Sequence, residues 1–207
     1  MSLNKELYQA VIDGDKEGVK TIVNRGLEEN VDIDELLYDS MIPAMREMGD
    51  RFSRSEIFVP QMLISARAMQ AGLTILEPIL AQSKREAPVK VAIGTVKDDL
   101  HDIGKNLVAI MLKGAGYDVI DLGTNCNVEK YAEAVKQGAK IIMCSALLTT
   151  TRDYISEVVD YFADNEDIKI IVGGAPVDQK FADEIGADGY GQDANDAVKI
   201  VESIIQN

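Results

Sequence analysis

The sequence predicts an α + α/β protein with two domains, a four-helix bundle over residues 1–86 and a doubly wound parallel sheet over residues 87–207. Apolar residues recur at helical spacing throughout the first part. Beyond Pro88, short runs rich in β-branched residues alternate with helical patterns, which is typical of a parallel sheet. The charged segment 83–86 separates the two patterns and therefore marks the domain boundary.

Four helical patterns fill the first part, with breaks predicted near Gly14, at 26–30 and at 49–55. Pro43 lies inside the second long pattern and predicts a kink, whereas Pro60 fits the first turn of the last helix, where its missing N–H costs little. Each helix has one apolar face, defined by positions such as Leu7, Val11, Val19, Val23, Leu36, Met41, Met45, Met62, Met69 and Leu76. Short connections between such helices predict a bundle.

Five βα units follow. The predicted strands are residues 89–96, 117–122, 141–146, 168–172 and 189–190. The predicted helices are residues 104–113, 128–137, 152–164, 176–184 and 194–205. This alternation indicates an open parallel sheet of the flavodoxin type, in which the loops after the first, third and fourth strands converge on one crevice.

Composition excludes several classes of function. The net charge of -14, from 21 basic and 35 acidic residues, argues against a nucleic-acid partner and suits docking to other proteins. No apolar stretch approaches the roughly 20 residues that span a bilayer, and the N-terminus lacks the pattern of a signal peptide. Cys126 and Cys144 are too few for a disulfide framework and fit reduced thiols. We therefore expect a soluble cytoplasmic protein that binds neither nucleic acid nor membrane.

The only histidine, His101, follows the first predicted strand, with Asp99 two residues before it and Gly104 three residues after it. A neutral imidazole is a good ligand for a transition metal, and a carboxylate can orient the ring through its other nitrogen. One histidine cannot make a closed zinc site from protein ligands alone. The chain also lacks the G-x-G-x-x-G loop that cradles phosphates. This D-x-H-x-x-G motif therefore suits a large organic cofactor that carries a metal.

Two further loops should meet the His101 loop. The third predicted strand ends in the hydroxyl-rich segment 145–151, and the fourth ends in Gly173 and Gly174. Missing side chains at the glycines let another molecule approach the backbone closely.

At these residues a resemblance becomes clear. The D-x-H-x-x-G motif, an S-x-L motif at Ser145 and Leu147, and the Gly-Gly pair together resemble the cobalamin-binding signature of methionine synthase and of corrinoid methyl-carrier proteins. The match extends over the whole segment 97–106. The first part resembles the helical cap of that family, and its segment 56–69 resembles the cap residues that lie over the upper face of the corrin. The resemblance thus implies that Phe58 and Met62 contact that face.

The resemblance implies a role for each matching residue. His101 would be the lower axial ligand of cobalt, and Asp99 its hydrogen-bonding partner, which makes these two the predicted catalytic residues and His101 the metal ligand. In methionine synthase the relay continues to a serine, whose position is taken by Thr151 here, so the relay either includes Thr151 or ends at Asp99. Asp102 belongs to the motif, with a solvated acid at a helix N-terminus as the alternative. The predicted cofactor-binding residues are Asp99, His101, Asp102, Gly104, Ser145, Leu147, Thr149, Thr151, Gly173, Gly174, Phe58 and Met62.

The same resemblance places the nucleotide tail of the cofactor. Gly104 would leave room beside the tail, Ser145 and Thr149 would line its pocket, and Gly173 and Gly174 would flank its far end.

As function, the resemblance implies a carrier that binds cobalamin, as methylcobalamin and cob(I)alamin, and shuttles a methyl group on its cobalt. A donor-specific methyltransferase would load the carrier, an acceptor methyltransferase acting on a tetrahydrofolate or a thiol would unload it, and a reductive activase would be a further partner. The chain would then be a subunit of one-carbon metabolism, not an enzyme complete by itself, and its cap would move on a hinge at 82–88. Two alternatives stay open: a cobalamin-dependent sensor or regulator, and the small subunit of an adenosylcobalamin mutase.

Overall fold

The computed structural model describes residues 2–80 and 89–206. The chain divides into two compact units, a helical one from the N-terminal part together with Gly114–Gly116, and an α/β one from the remainder. The predicted boundary between residues 86 and 87 and the hinge at 82–88 fall outside the described residues, so both stay predictions. Among the helices of the described stretches, none combines the length and the apolar character that crossing a bilayer would require.

The helical unit contains the predicted bundle. Its elements are α1 (Leu3–Ile12), α2 (Lys16–Glu28), α3 (Ile33–Leu36), a π-helical turn (Leu37–Met41), α4 (Ile42–Ser53) and α5 (Val59–Leu80). Because α3, the π turn and α4 run on without interruption, they form one of four long helical stretches. Pro60 lies in the first turn of α5, as predicted.

Two predicted breaks begin too early in the chain. Gly26 lies inside α2 and Gly49 inside α4. A Cβ atom built on Gly26 would lie 3.0 Å from the Leu36 side chain, so this glycine permits close packing between helices and does not end one. Tertiary packing has here overridden the low intrinsic helix propensity of glycine.

A π turn precedes Pro43, the position at which the sequence predicted a kink. Pro43 sits in the first turn of α4, directly after that turn. Proline has no N–H for the carbonyl of Asp39 and its ring crowds that carbonyl. A wider π turn relieves this crowding without ending the helical stretch.

The α/β unit is built on five parallel strands: β1 (Lys90–Thr95), β2 (Asp118–Asp121), β3 (Ile141–Ser145), β4 (Lys169–Gly173) and β5 (Gly189–Gly191). Their order is β2-β1-β3-β4-β5, which confirms the flavodoxin-type topology. Because the chain leaves β1 toward β2 and later returns to the other side of β1 as β3, the crevice of the sheet opens between β1 and β3.

The strand register brings the predicted motifs into one row. Thr95 pairs with Ser145, and Ser145 pairs with Gly173, at the carboxyl ends of their strands. The loops after β1, β3 and β4 therefore start side by side, which places the three sequence motifs at one edge of the sheet.

The connecting helices are α6 (Ile103–Gly114), α7 (Val128–Lys136), α8 (Thr149–Arg152), α9 (Tyr154–Phe162), α10 (Gln179–Ile185) and α11 (Ala194–Gln206). The predicted helix at 152–164 is thus α9, with the short α8 before it. The residues of β3 before Ser145 are all buried, as expected for a parallel strand covered on both faces. This rigid, helix-covered sheet holds the loops of the site.

Candidate cofactor site

Asp99 lies at the centre of the site and is fully buried. Its Oδ1 atom accepts a hydrogen bond from the backbone N–H of His101 at 3.1 Å. Its Oδ2 atom accepts from the backbone N–H of Leu147 at 2.8 Å and from the hydroxyl of Thr151 at 2.7 Å. Burial alone would raise the pKa of Asp99, but the hydrogen bonds from Leu147, His101 and Thr151 outweigh it and hold the pKa well below its usual range. The carboxylate is therefore ionised, and it can only accept hydrogen bonds.

This acceptor fixes the orientation of the His101 ring. The Nδ1 atom of His101 lies 2.8 Å from Oδ1 of Asp99. Because the carboxylate cannot donate, Nδ1 carries the proton, and the lone pair of the neutral ring sits on Nε2. The His101 side chain is 52% exposed, so a ligand can reach Nε2 from solvent. A buried carboxylate behind an accessible imidazole is the arrangement that makes histidine a stronger metal ligand.

Thr151 reaches Asp99 in this structure. It lies in the short helix α8, its side chain is almost fully buried, and its hydroxyl donates to the carboxylate. Of the two alternatives that the sequence left open, the geometry is that of a three-residue relay, in which His101, Asp99 and Thr151 follow one another.

The three predicted glycines differ in what requires them. A Cβ atom on Gly174, whose φ is +115°, would lie 1.9 Å from the carbonyl oxygen of Ala146, and one on Gly173 would lie 2.9 Å from the carbonyl oxygen of Gly191. These two glycines are needed by the fold itself. A Cβ atom on Gly104 would meet no protein atom within 4 Å. The open space at Gly104 is thus available to a ligand.

The other predicted residues vary in exposure. Ser145 is partly buried at the end of β3, and Thr149 is exposed at the start of α8. Asp102 is exposed and accepts a hydrogen bond from the amide of Asn106 at 3.0 Å, which is consistent with a helix-terminal acid. In the helical unit, Phe58 is 66% exposed whereas Met62 is fully buried, so only Phe58 offers a free surface in this structure.

Several exposed apolar side chains lie around His101, and sequence reasoning named only Leu147 among them. Leu100 is 74% exposed and Ile103 is 78% exposed, and they flank His101 and Asp102 in the chain. Leu147 and Leu148, whose backbone amides face Asp99, are also exposed. The signal was present in the sequence, because leucine and isoleucine are unusual in an otherwise polar loop. An exposed apolar rim beside a metal ligand suits a flat organic macrocycle.

The donor set also fits a corrinoid. Within the described residues, no group of three or more His, Cys, Asp or Glu side chains could hold a metal ion by itself. His101 offers one nitrogen, so a metal bound here would take its other ligands from outside the described side chains, as a metal held in a macrocycle does. Gly104, the apolar rim and the oriented imidazole thus meet the needs of a cobalt corrin with a nucleotide tail.

Comparison with known proteins gives the same answer. Residues 89–199 match the B12 binding domain family, and residues 3–77 match a second family of that description. A corrinoid protein of Desulfitobacterium hafniense (strain Y51) is 41% identical over 212 residues, which cover 99% of this chain and 98% of that protein. The trimethylamine corrinoid protein of Methanosarcina barkeri is 38% identical over 205 residues, which cover 95% of this chain and 94% of that protein.

Among solved structures, the methanol:cobalamin methyltransferase complex of Methanosarcina barkeri contains a similar chain. It matches with a TM-score of 0.87 and 29% identity, over 99% of this chain and 80% of that chain. The two domain matches fall on the helical and the α/β parts, and the relatives align over nearly their full length. With an oriented imidazole at the switch point of a flavodoxin-type sheet, the chain belongs to the family of B12-binding corrinoid proteins.

Proposed function

We propose that this chain carries a methyl group on bound cobalamin between a donor-specific methyltransferase and an acceptor methyltransferase. The observation that carries the proposal is the accessible His101 ring, whose Nδ1 atom is held 2.8 Å from the buried Asp99 carboxylate. The relatives named as corrinoid proteins favour this function over a sensor or a mutase subunit.

The residues divide the work. His101 would hold the cobalt through Nε2, while Asp99 keeps the proton on Nδ1 and Thr151 supports Asp99. When bound, the corrin supplies a metal that accepts a methyl group and gives it up to a nucleophile. An ionised Asp99 strengthens the imidazole as a metal ligand. It would equally stabilise a protonated imidazole that is no longer bound to the metal. The exposed apolar side chains of Leu100, Ile103, Leu147 and Leu148 would keep water away from the face of the corrin that His101 approaches.

The names of similar proteins support a proposal for the partners. Trimethylamine and methanol occur in the names of two relatives, so we propose a small methylated compound as donor, delivered by a partner methyltransferase. A tetrahydrofolate or thiol acceptor and a reductive activase complete the proposed system.

We also propose a cytoplasmic location. Cys126 and Cys144 are both free and buried, which is consistent with a compartment where thiols stay reduced. Burial raises the pKa of the Cys144 thiol to about 12 and also raises the pKa of the Cys126 thiol, so both thiols stay protonated.

Reconstitution with hydroxocobalamin tests the proposed role of His101. We expect the visible spectrum of the unaltered protein to show a histidine ligand, and the spectrum of the His101→Gly variant to lack it. Free imidazole added to this variant should restore the spectrum, because it can enter the space left by the ring. Identical spectra for the two proteins, without any effect of imidazole, would contradict the proposal.

A further inference from the structure

The loop that carries Asp99 and His101 is held from both neighbouring strands of the sheet. On the β3 side, Leu147 and Thr151 donate hydrogen bonds to the Asp99 carboxylate, as described above. On the β2 side, the contacts come from Asn125, in the connection between β2 and α7. The motifs identified in the sequence account for the first side and not for the second.

Asn125 makes two hydrogen bonds to the loop. Its side-chain Oδ1 accepts from the backbone N–H of Asp98 at 2.9 Å, and its own backbone N–H donates to the carbonyl of Asp99 at 3.0 Å. Asp98 has φ +63° and Asn125 has φ +52°, both in the left-handed region. Asn and Asp adopt this region more readily than other residues with a side chain, yet it remains unfavourable for them. Unfavourable backbone conformations that the surrounding structure maintains cluster at functional sites. The two left-handed residues, joined by hydrogen bonds, therefore indicate that the geometry of this loop serves a function.

Thr95 contacts the same loop from the end of β1. It is the last residue of β1 and is fully buried, and its hydroxyl donates to the backbone carbonyl of His101 at 2.7 Å. Its backbone N–H donates to the carbonyl of Gly123 at 3.0 Å, and its carbonyl accepts from the N–H of Cys126 at 2.9 Å. The connection between β2 and α7 is therefore hydrogen-bonded to β1 both before and after Asn125. Thr95 and Asn125 thus belong to one hydrogen-bonded network around the His101 loop.

We propose that Thr95 and Asn125 are positioning residues that hold His101 ready for the metal before any cofactor binds, an inference that rests on the proposed function. Asp99 and Thr151 orient the ring, whereas Thr95 and Asn125 fix the backbone that bears it. A loop that samples other conformations binds its ligand more weakly in proportion to the fraction of time it is competent. A loop that is already ordered loses less conformational freedom on binding.

The first test uses the protein without cofactor. Because His101 is the only histidine, isotopic labelling of histidine nitrogen gives a single backbone amide signal that reports on this loop alone. We expect one sharp signal for the unaltered protein. Thr95→Val, which keeps the shape and loses the donor, and Asn125→Gly, which keeps the left-handed backbone and loses the side-chain acceptor, should broaden or split that signal. Thr95→Ser and Asn125→Asp, which keep the donor and the acceptor, should restore it.

The second test measures affinity for hydroxocobalamin and the spectrum of the bound state in the same variants. Thr95→Val and Asn125→Gly should each weaken binding about tenfold, which corresponds to about 1.4 kcal/mol, and should reduce the share of molecules with the histidine ligand. The Ser and Asp variants should stay within about threefold of the unaltered protein, a ratio well below that tenfold step.

Two results would overturn the inference. One is an unchanged histidine signal and affinity in Thr95→Val and Asn125→Gly. The other is a loss that Thr95→Ser and Asn125→Asp do not restore and that accompanies a lower unfolding temperature of the whole protein. In either case the proposed function stands if the spectrum of the unaltered protein still depends on His101. A spectrum independent of His101 would instead contradict the proposed function.

Discussion

At the scale of single residues, Gly104 and Gly174 show that identical side chains serve different ends. Gly174 is packed against the backbone of the loop after β3, since a Cβ atom there would lie 1.9 Å from the Ala146 carbonyl oxygen. The surroundings of Gly104 are open. One glycine is required by the backbone packed against it, and the other borders open space that a ligand can occupy.

This contrast leads to a prediction for Gly104→Ala. The cofactor-free protein should unfold at the same temperature as the unaltered protein or slightly higher, because alanine favours a helix and meets no neighbour. Its affinity for cobalamin should fall by about 1–3 kcal/mol, the usual effect of an extra methyl group in a filled space. Thermal unfolding of the cofactor-free protein measures the first effect. Isothermal titration with cobalamin and with cobinamide, which lacks the nucleotide tail, measures the second.

The two ligands supply the control. Cobinamide should bind Gly104→Ala as it binds the unaltered protein, since the added methyl group would meet only the tail. The matched variant Gly174→Ala should instead destabilise the cofactor-free protein by about 2–6 kcal/mol through strain and overlap. Equal loss of affinity for both ligands in Gly104→Ala would show that this glycine does not face the tail.

At the scale of elements, the first turn of α6 is tied to the end of β2 by an ion pair. Lys105 is almost fully buried, and its Nζ lies 2.5 Å from Oδ1 of Asp121, whose side chain is 42% exposed. The same Oδ1 accepts from the backbone N–H of Gly123 at 2.9 Å. Burial raises the pKa of Asp121, but Lys105 and the Gly123 amide lower it by more, so its pKa lies below the usual range. The pair secures the helix that follows His101.

The unequal burial of the two partners predicts unequal effects. Asp121→Ala leaves a buried ammonium without its carboxylate and should destabilise the protein by about 3 kcal/mol, toward the low end for buried pairs because the carboxylate is partly exposed. Lys105→Met replaces the cation with an apolar chain of similar length and should have a much smaller effect. Urea unfolding of both variants at neutral pH gives the comparison, and a larger loss in Lys105→Met would contradict this account of the pair.

At the scale of the whole molecule, a ligand that binds only the folded state should stabilise it. Hydroxocobalamin at about one hundred times its dissociation constant should add about 2.7 kcal/mol to the free energy of unfolding. His101→Gly at the same ligand concentration should gain less, because one bond to the ligand is missing. Thermal unfolding followed by circular dichroism, with and without ligand, measures the difference. Equal stabilisation of both proteins would mean that His101 contributes nothing to binding.

Much of this molecule could be predicted from its sequence, because the patterns involved are local. Apolar spacing predicted the four helical stretches, and the alternation of strands and helices predicted the flavodoxin-type sheet, both of which the structure confirms. The D-x-H-x-x-G motif predicted that Asp99 and His101 lie close together in the loop after β1. Residues two positions apart in the chain are near each other in any fold.

Only the tertiary structure decided what depends on distant parts of the chain. Gly26 and Gly49 looked like helix breaks, but both are buried positions inside helices, and Gly26 is packed closely against Leu36. Thr151 could be joined to Asp99 only through a hydrogen bond across 52 positions of sequence. Thr95 and Asn125 carry no motif, and their part in holding His101 is visible only once β1 and β2 lie side by side. The sequence thus determined the kinds of chemistry available and their local order, whereas long-range hydrogen bonds and packing decided which side chains act together.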